Sequence, residues 1–272
     1  MGENSSFRGN RDLNIHRLRK IARNIPSLFL GYSIYVDSDK LRLIDRACRS
    51  LCPQARSFVD LGGVWKVHGA YSLYALRNHA LDRGVLVDTD FPRGLPEKLS
   101  RTPRLQVIRG DFASPEVARQ ARDVDVVFLF DVLLHQANPS WEAVLSLYAE
   151  SARCFVIYNQ QYTKGGSTVR LTDLSLDEYL MVAPRGREDL YRYVYAHADE
   201  LHPAYGKPWR DIHNIFQWGI TDRDLRLRMS RLGFREVYFQ NCGRFSNLPA
   251  FENHAFVFLR DPTVSSRSSP AA

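Results

Sequence analysis

No stretch of the 272 residues approaches the ~20 apolar positions that span a bilayer, and the longest apolar run, Val124 to Leu134, is broken by Asp125 and Asp131. A membrane-spanning chain is not expected. The opening residues, Met1 to Arg8, lack the apolar core of a secretory leader, so a cytoplasmic protein is expected. Cysteine is scarce: Cys48, Cys52, Cys154 and Cys242 form no C-x-x-C pair, and three of them sit in apolar patterns. That distribution fits buried thiols in a reducing compartment and argues against a disulfide scaffold. His197-x-x-Glu200-x-His202 matches no zinc signature, and no metal is expected. Internal repeats are absent as well.

What is present is ordinary for a globular enzyme core. Hydrophobic residues at 44% and charged residues at 25% exclude collagen-like, coiled-coil and mainly disordered chains. The excess of 37 basic over 30 acidic residues, +7, admits nucleic acid, an anionic surface or an acidic substrate as partner and does not choose among them. Much of it is local, in Arg8, Arg11, Arg17, Arg19, Lys20 and Arg23, where a solvated helix face is the simpler account.

The chain divides by pattern. Residues 1–56 read as an N-terminal helical segment: Leu18, Ile21 and Ile25, then Leu41, Ile44, Ala47 and Leu51, recur at helical spacing, with Ser38 capping the second helix. From Ser57, short apolar runs end in acid, glycine or amide: SFVDLGG, GVLVDTD, LQVIRGDF, VDVVFLFDVLL and RCFVIYN. Such runs suit strands buried on both faces of a parallel sheet. Helical patterns separate them, among them 71–81 and a helix from about Ser140 with Asn138 as cap and Pro139 at its first position. Thr221 to Asp224 form a capping box for a last helix, stopped by Gly233. The strands 236–241 and 254–260 then have only 12 residues between them, too few for a parallel crossover, and are expected to pair as an antiparallel hairpin at the sheet edge. Residues 160–220 hold six tyrosines, Trp209 and Trp218, and His197, His202 and His213, and read as a substrate-binding insertion or lid. The polar tail 262–272 reads as disordered.

In open parallel sheets ligands bind beyond the carboxyl ends of the strands, so strand-terminal residues carry the chemistry. Asp60, Asp88, Asp111 and Asp131 close the first four strands and stand 28, 23 and 20 positions apart, about one βα unit each. Helix capping accounts for one or two such acids and not easily for four.

This order resembles the class I S-adenosylmethionine-dependent methyltransferases of small-molecule type, over roughly 57–160 and, through the hairpin, 221–260. The resemblance implies an α/β fold, a Rossmann-like seven-stranded sheet with a terminal antiparallel hairpin, and S-adenosylmethionine as cofactor. It places Asp60, Gly62 and Gly63 at the turn that approaches the methionine part, Asp88 with Thr89 at the ribose hydroxyls, Asp111 and Phe112 at the adenine, and Asp131 at the cofactor's edge. The chain departs from the family where D/E-x-G-x-G-x-G would continue: Val64 and Lys66 replace glycines, so a longer or differently shaped turn is expected. A nicotinamide dehydrogenase shares the ribose acid but requires G-x-G-x-x-G, which is missing.

The stretch DVLLHQ looks like the histidine-containing region of methyltransferases that alkylate quinones and natural products, which makes His135 the candidate general base. Gln136, Asn159, Gln160, His213 and Trp218 are the candidate acceptor contacts, and Arg185, Arg187, Arg192 and Arg210 are candidates for holding an acidic group. Asn138-Pro139-Ser140-Trp141 has the look of the N-P-P-Y motif of amino methyltransferases but lies seven residues beyond the strand end, where capping explains it better. The expected function is methylation of oxygen or nitrogen on a small, acidic or aromatic acceptor of specialised metabolism, with room for a homodimer. Nucleic acid ranks behind a small molecule as partner. A methyltransferase acting on a peptide or RNA, and a non-catalytic binding protein on the same scaffold, stand as alternatives.

Overall fold

The computed structural model describes residues 24–26, 33–245 and 248–262. Two short strands, β1 (Asn24–Pro26) and β2 (Ser33–Tyr35), pair antiparallel ahead of helix α1 (Ser38–Arg46). The helix expected through Ile25 therefore gives way, over its described residues, to extended chain, in keeping with the bias of a residue before proline toward the β region. The rest of that expected helix, with its basic residues, and most of the expected tail lie outside the described residues. Asp37, not Ser38, caps α1: its side chain accepts from the Asp39 amide at 2.8 Å, and Ser38 opens the first turn. The helix widens at 47–51, where the Cys52 amide reaches the Ala47 carbonyl at 2.7 Å.

The apolar runs form the expected strands: β3 (Ser57–Leu61), β4 (Arg83–Asp88), β5 (Leu105–Arg109), β6 (Val126–Phe130) and β7 (Cys154–Tyr162). These five are mutually parallel, and β10 (Phe234–Arg244) and β11 (Phe251–Arg260) join antiparallel to complete a seven-stranded sheet ordered β10-β11-β7-β6-β3-β4-β5. Here β11 is inserted between β7 and β10, so the edge strand is the first arm of the hairpin. All five β6 residues are buried, whereas the edge strand β5 is buried only at Leu105 and Ile108, which is the contrast expected between a central and an edge position.

Helices cover both faces. Helices α1, α2 (Ala70–Asn78) and α3 (Leu95–Ser100) pack on one side through Leu43, Tyr71, Leu76 and Leu99. Helices α4 (Pro115–Ala121), α5 (Trp141–Ala149) and α8 (Asp222–Arg231) pack on the other through Ala118, Leu145 and Met229. Helix α5 is capped by Ser140, whose Oγ accepts from the Ala143 amide at 3.4 Å; Asn138 and Pro139 stand before the cap, joined by a cis peptide bond. Ser140 is the hydroxyl adjacent to the apolar run that starts at Trp141, which is why it takes the place expected of Asn138. Thr221 caps α8, but the capping box is only half made, because the Asp224 carboxylate turns away to accept from the Thr168 amide at 2.6 Å.

Between β7 and α8 the chain forms α6 (Leu176–Val182), whose Ser175–Glu178 capping box is complete, α7 (Glu188–Ala196), and the small ladder of β8 (Val169–Arg170) with β9 (Trp218–Gly219). This insertion has its own core of Leu171, Tyr179, Tyr191, Ile212 and Phe216, which also takes in Leu134 of the main sheet's loops and Phe251 of the hairpin. Among the described residues no helix is long and apolar enough to cross a membrane.

Candidate active site

The carboxyl ends of β3, β4, β5 and β6 lie side by side, and the sequence-expected acids stand at those ends, where an open parallel sheet leaves a crevice for a ligand. At its floor Asp60 is 1% exposed; Ser72 Oγ donates to its Oδ2 at 2.7 Å, and Oδ1 has no hydrogen-bond partner among the described residues. Burial raises its pKa to about 6, with Asp88 adding to the shift while Ser72 and Lys40 oppose it. A buried carboxylate oxygen left without a donor is costly unless a ligand completes it.

The turn above Asp60 needs its glycines. Gly62 has φ of +76°, and a Cβ there would lie 2.6 Å from Val132 Cγ1; a Cβ on Gly63 would fall on the Asp60 carboxyl itself. The turn then extends to Gly69, whose amide reaches back to the Gly63 carbonyl at 2.8 Å, with Lys66 and His68 both in the left-handed region. This is the longer turn that the missing glycines imply. Trp65 is 75% exposed and, with Tyr35, packs around the Lys66 ammonium at the outer rim.

Asp88 is held by two backbone amides, Val64 N to Oδ2 at 3.0 Å and Asp90 N to Oδ1 at 3.2 Å, and burial raises its pKa against these bonds. Its neighbour Thr89 is exposed. Asp111 accepts from the Ala113 amide at 2.9 Å and pairs at 3.3 Å with Lys207, which comes from the insertion and also donates to the Asn138 carbonyl at 3.0 Å. Phe112 is buried under the turn. His213 is exposed beside the same mouth, its ring 4.8 Å from Tyr205; desolvation and then Lys207 lower its pKa, against the pull of Asp111 and Asp88.

At the end of β6, Asp131 adopts a φ of +59°, a left-handed conformation that among residues other than glycine favours asparagine and aspartate. It forms an ion pair with Lys40 and accepts from Gln160 Nε2 at 2.6 Å, and Gln160 also reaches Asn253 Oδ1 at 3.2 Å. Lys40 comes from α1 and is itself buried, its Nζ 5.6 Å from the Tyr71 ring centre and 5.0 Å from that of Tyr158. Burial alone would depress its pKa, but Asp131, then Tyr71 and Asp37, reverse the sign and hold the ammonium above the usual lysine range. Asp37 ties the group together: its amide donates to Tyr71 Oη at 2.9 Å, and Tyr158 Oη donates to its carboxylate at 3.3 Å.

His135 uses Nδ1 on the Ile215 carbonyl at 2.7 Å and packs edge-on against Phe216, and its pKa is lowered, by burial first. Trp218 donates from Nε1 to the Gln136 carbonyl, while the Gln136 side chain folds back to the Val132 carbonyl at 3.4 Å. Asn159 is buried with Oδ1 unpartnered among the described residues, and alternation along β7 puts it on the opposite sheet face from Gln160. Arg210 is taken up by Asp173 and by Asp199 at 3.6 Å, and Arg187 by the Asn214 carbonyl at 2.7 Å, so neither is disposed to hold an acidic acceptor. The histidines His197 and His202 stack on Tyr193 and Tyr205, and among the described residues no group of three or more metal-ligating side chains is assembled.

Sequence reasoning missed Lys40, Tyr71, Tyr158, Asn253 and Lys207. A signal for the first was present: Lys40 stands three, four and seven positions before Leu43, Ile44 and Ala47, on the apolar stripe of α1, where a lysine must have a partner.

No family model matches the sequence, and no curated protein matches it. Among solved structures, the chain is similar to a 1,6-didemethyltoxoflavin-N1-methyltransferase from Burkholderia thailandensis, solved with 1,6-didemethyltoxoflavin and S-adenosylhomocysteine, at a TM-score of 0.50 and 12% identity over 96% of this chain and 93% of that one. It is also similar to an O-methyltransferase family protein from Burkholderia thailandensis, at a TM-score of 0.50 and 16% identity over 82% of this chain and 56% of that one, so it spans little more than half of that protein. The chain shares the fold of these methyltransferases.

Proposed function

We propose that the protein transfers the methyl group of S-adenosylmethionine to oxygen or nitrogen of a small acceptor, releasing S-adenosylhomocysteine. The observation that carries this reading is the row of strand-end carboxylates around a glycine turn whose floor, Asp60 Oδ1, lacks a donor among the described residues. The residues fit the group. Asp60 and the Gly62–Gly63 turn would hold its amino-acid end, Asp88 with Thr89 its ribose hydroxyls, and Asp111 with Phe112 its adenine. Bound there, the cofactor supplies an electrophilic methyl on a sulfonium. The chain's part is to orient the acceptor's lone pair and to keep water out, which demands position more than chemistry.

The insertion supplies the wall of the acceptor site. Half-buried Trp218, and Tyr205, which is exposed beside His213, would form that wall and suit a planar aromatic acceptor. His135, with Nδ1 committed to Ile215, has only Nε2 available to take a proton from the acceptor. The four free thiols suit a reducing, cytoplasmic compartment.

Calorimetric titration with S-adenosylmethionine and S-adenosylhomocysteine tests the reading. Micromolar binding is expected, and Asp88→Ala, checked for folding by circular dichroism, should abolish it. Failure of well-folded wild-type protein to bind either compound overturns the proposal.

A further inference from the structure

Helix α1 contributes one charged side chain to the crevice, and it does so from inside the protein. Lys40 is 7% exposed, yet no solvent-facing role or surface salt bridge explains it. Its ammonium lies against two tyrosine faces and one carboxylate, Asp131, whose side chain is 34% exposed while that of Lys40 is 9%. The lysine thus stands behind the carboxylate and the carboxylate faces the crevice. On its other side Asp131 is fixed by Gln160, and Gln160 by Asn253, so a polar chain Lys40–Asp131–Gln160–Asn253 runs across α1, β6, β7 and β11. The place of Asp131 along the sheet is equally defined. Leu129 is the register partner of Leu61, and the Val132 methyl abuts Gly62, so Asp131 adjoins the Gly62–Gly63 turn.

We infer that Lys40 is a positioning residue: it holds the Asp131 carboxylate, in its left-handed backbone conformation, toward the turn so that the carboxylate receives the ammonium group at the amino-acid end of the cofactor. This rests on the reading of the crevice as an adenosylmethionine site and adds to it that α1 is part of that site. An ion pair buried against aromatic rings is costly to break by removing one partner, because the other charge is left uncompensated. Without Lys40, Asp131 is held by Gln160 alone and its direction is loosened, and the loss falls on ligands that carry the amino-acid end.

The test compares two probes on the full-length protein: S-adenosylhomocysteine, which has that ammonium, and 5′-methylthioadenosine, which has the same adenosyl group without it. Lys40→Met is expected to weaken S-adenosylhomocysteine at least tenfold and to leave methylthioadenosine within twofold. Lys40→Arg, which keeps the charge, should recover most of the loss. Asp131→Asn should show the same selective pattern, and the double variant Lys40→Met/Asp131→Asn should be no weaker than either single one. Equal weakening of both probes by Lys40→Met, or none for S-adenosylhomocysteine, overturns the assignment while leaving the cofactor reading intact. Wild-type protein that binds neither probe overturns the cofactor reading itself. Should Lys40→Met not fold, Lys40→Arg and Asp131→Asn carry the same comparison, and an equal effect of Asp131→Asn on the two probes defeats the inference.

Discussion

A carboxyl group that is 1% exposed, accepts one hydrogen bond from Ser72 and has a second oxygen without a partner among the described residues penalises the free protein at neutral pH. For Asp60 the sign is set by the raised pKa. The folded state holds its proton up to about 6, whereas the ordinary carboxyl releases it near 3.8, so stability falls as the pH rises through that window and the full penalty applies above it. The shift corresponds to about 3 kcal/mol. Asp60→Asn keeps an oxygen for Ser72 and removes the charge. Thermal unfolding of the ligand-free variant should therefore give a higher Tm than wild type at pH 7.5 and a flatter pH dependence between 4 and 6, with binding of S-adenosylhomocysteine weakened. A variant less stable than wild type at pH 7.5 would show that Asp60 is stabilised in the free protein by its surroundings. The glycine beside it is constrained by the same carboxyl: Gly63→Ala should cost about 1–3 kcal/mol in urea unfolding, since the new methyl displaces a buried group that has nowhere to relax.

Among the elements, the insertion is joined to the connection after β6 by four hydrogen bonds among the described residues: Gln217 N to the Leu134 carbonyl at 2.9 Å, His135 Nδ1 with the Ile215 carbonyl at 2.7 Å, Trp218 Nε1 to the Gln136 carbonyl, and Lys207 Nζ to the Asn138 carbonyl at 3.0 Å. His135 must donate to a carbonyl while half-buried, and desolvation lowers its pKa against the opposing effects of Ile215 and Asp131. The folded state thus prefers the neutral ring, so its contribution is complete above the ordinary value of 6.5 and is lost as the pH falls below it. Limited proteolysis should cut the 160–220 region faster at pH 5 than at pH 7.5. In His135→Phe the region should be cut faster than in wild type at pH 7.5, with little further change at pH 5. Because Asp60 titrates in an overlapping range in both proteins, the difference between them isolates His135. At this scale the sequence was readable where one pattern dominated, as in the strands and in the Ser175–Glu178 box, and misread where two capping residues stood close together. Asp37 beside Ser38 and Ser140 beside Asn138 are both choices made by backbone geometry one or two residues away, which composition does not encode.

Across the whole molecule, the parallel strands and the antiparallel hairpin were legible because each acid-terminated run and the missing crossover constrain topology directly, whereas the order of the strands in the sheet is seen only in the structure. The long-range pairings were not: Lys40 with Asp131 spans 91 positions and Lys207 with Asp111 spans 96, and nothing local announces either. The same holds for the seam between insertion and sheet. Phe251 begins β11 opposite Tyr162, is wholly buried, and packs 5.5 Å from Phe216 of the insertion and 5.4 Å from Tyr162. Two backbone bonds flank it, Tyr162 N to the Ile220 carbonyl at 2.7 Å and Thr163 N to the Ala250 carbonyl at 2.9 Å. An insertion whose core includes a residue of the main sheet unfolds with that sheet. Phe251→Ala should cost about 3–5 kcal/mol through loss of burial and the cavity left behind. That loss should appear as one cooperative transition, with the fluorescence of Trp209 and Trp218 in the insertion, read in a Trp65→Phe/Trp141→Phe background, changing at the same urea concentration as the far-ultraviolet circular dichroism of the whole chain. Separate midpoints for the two signals would mean that the insertion folds as a unit of its own and that Phe251 serves the sheet alone.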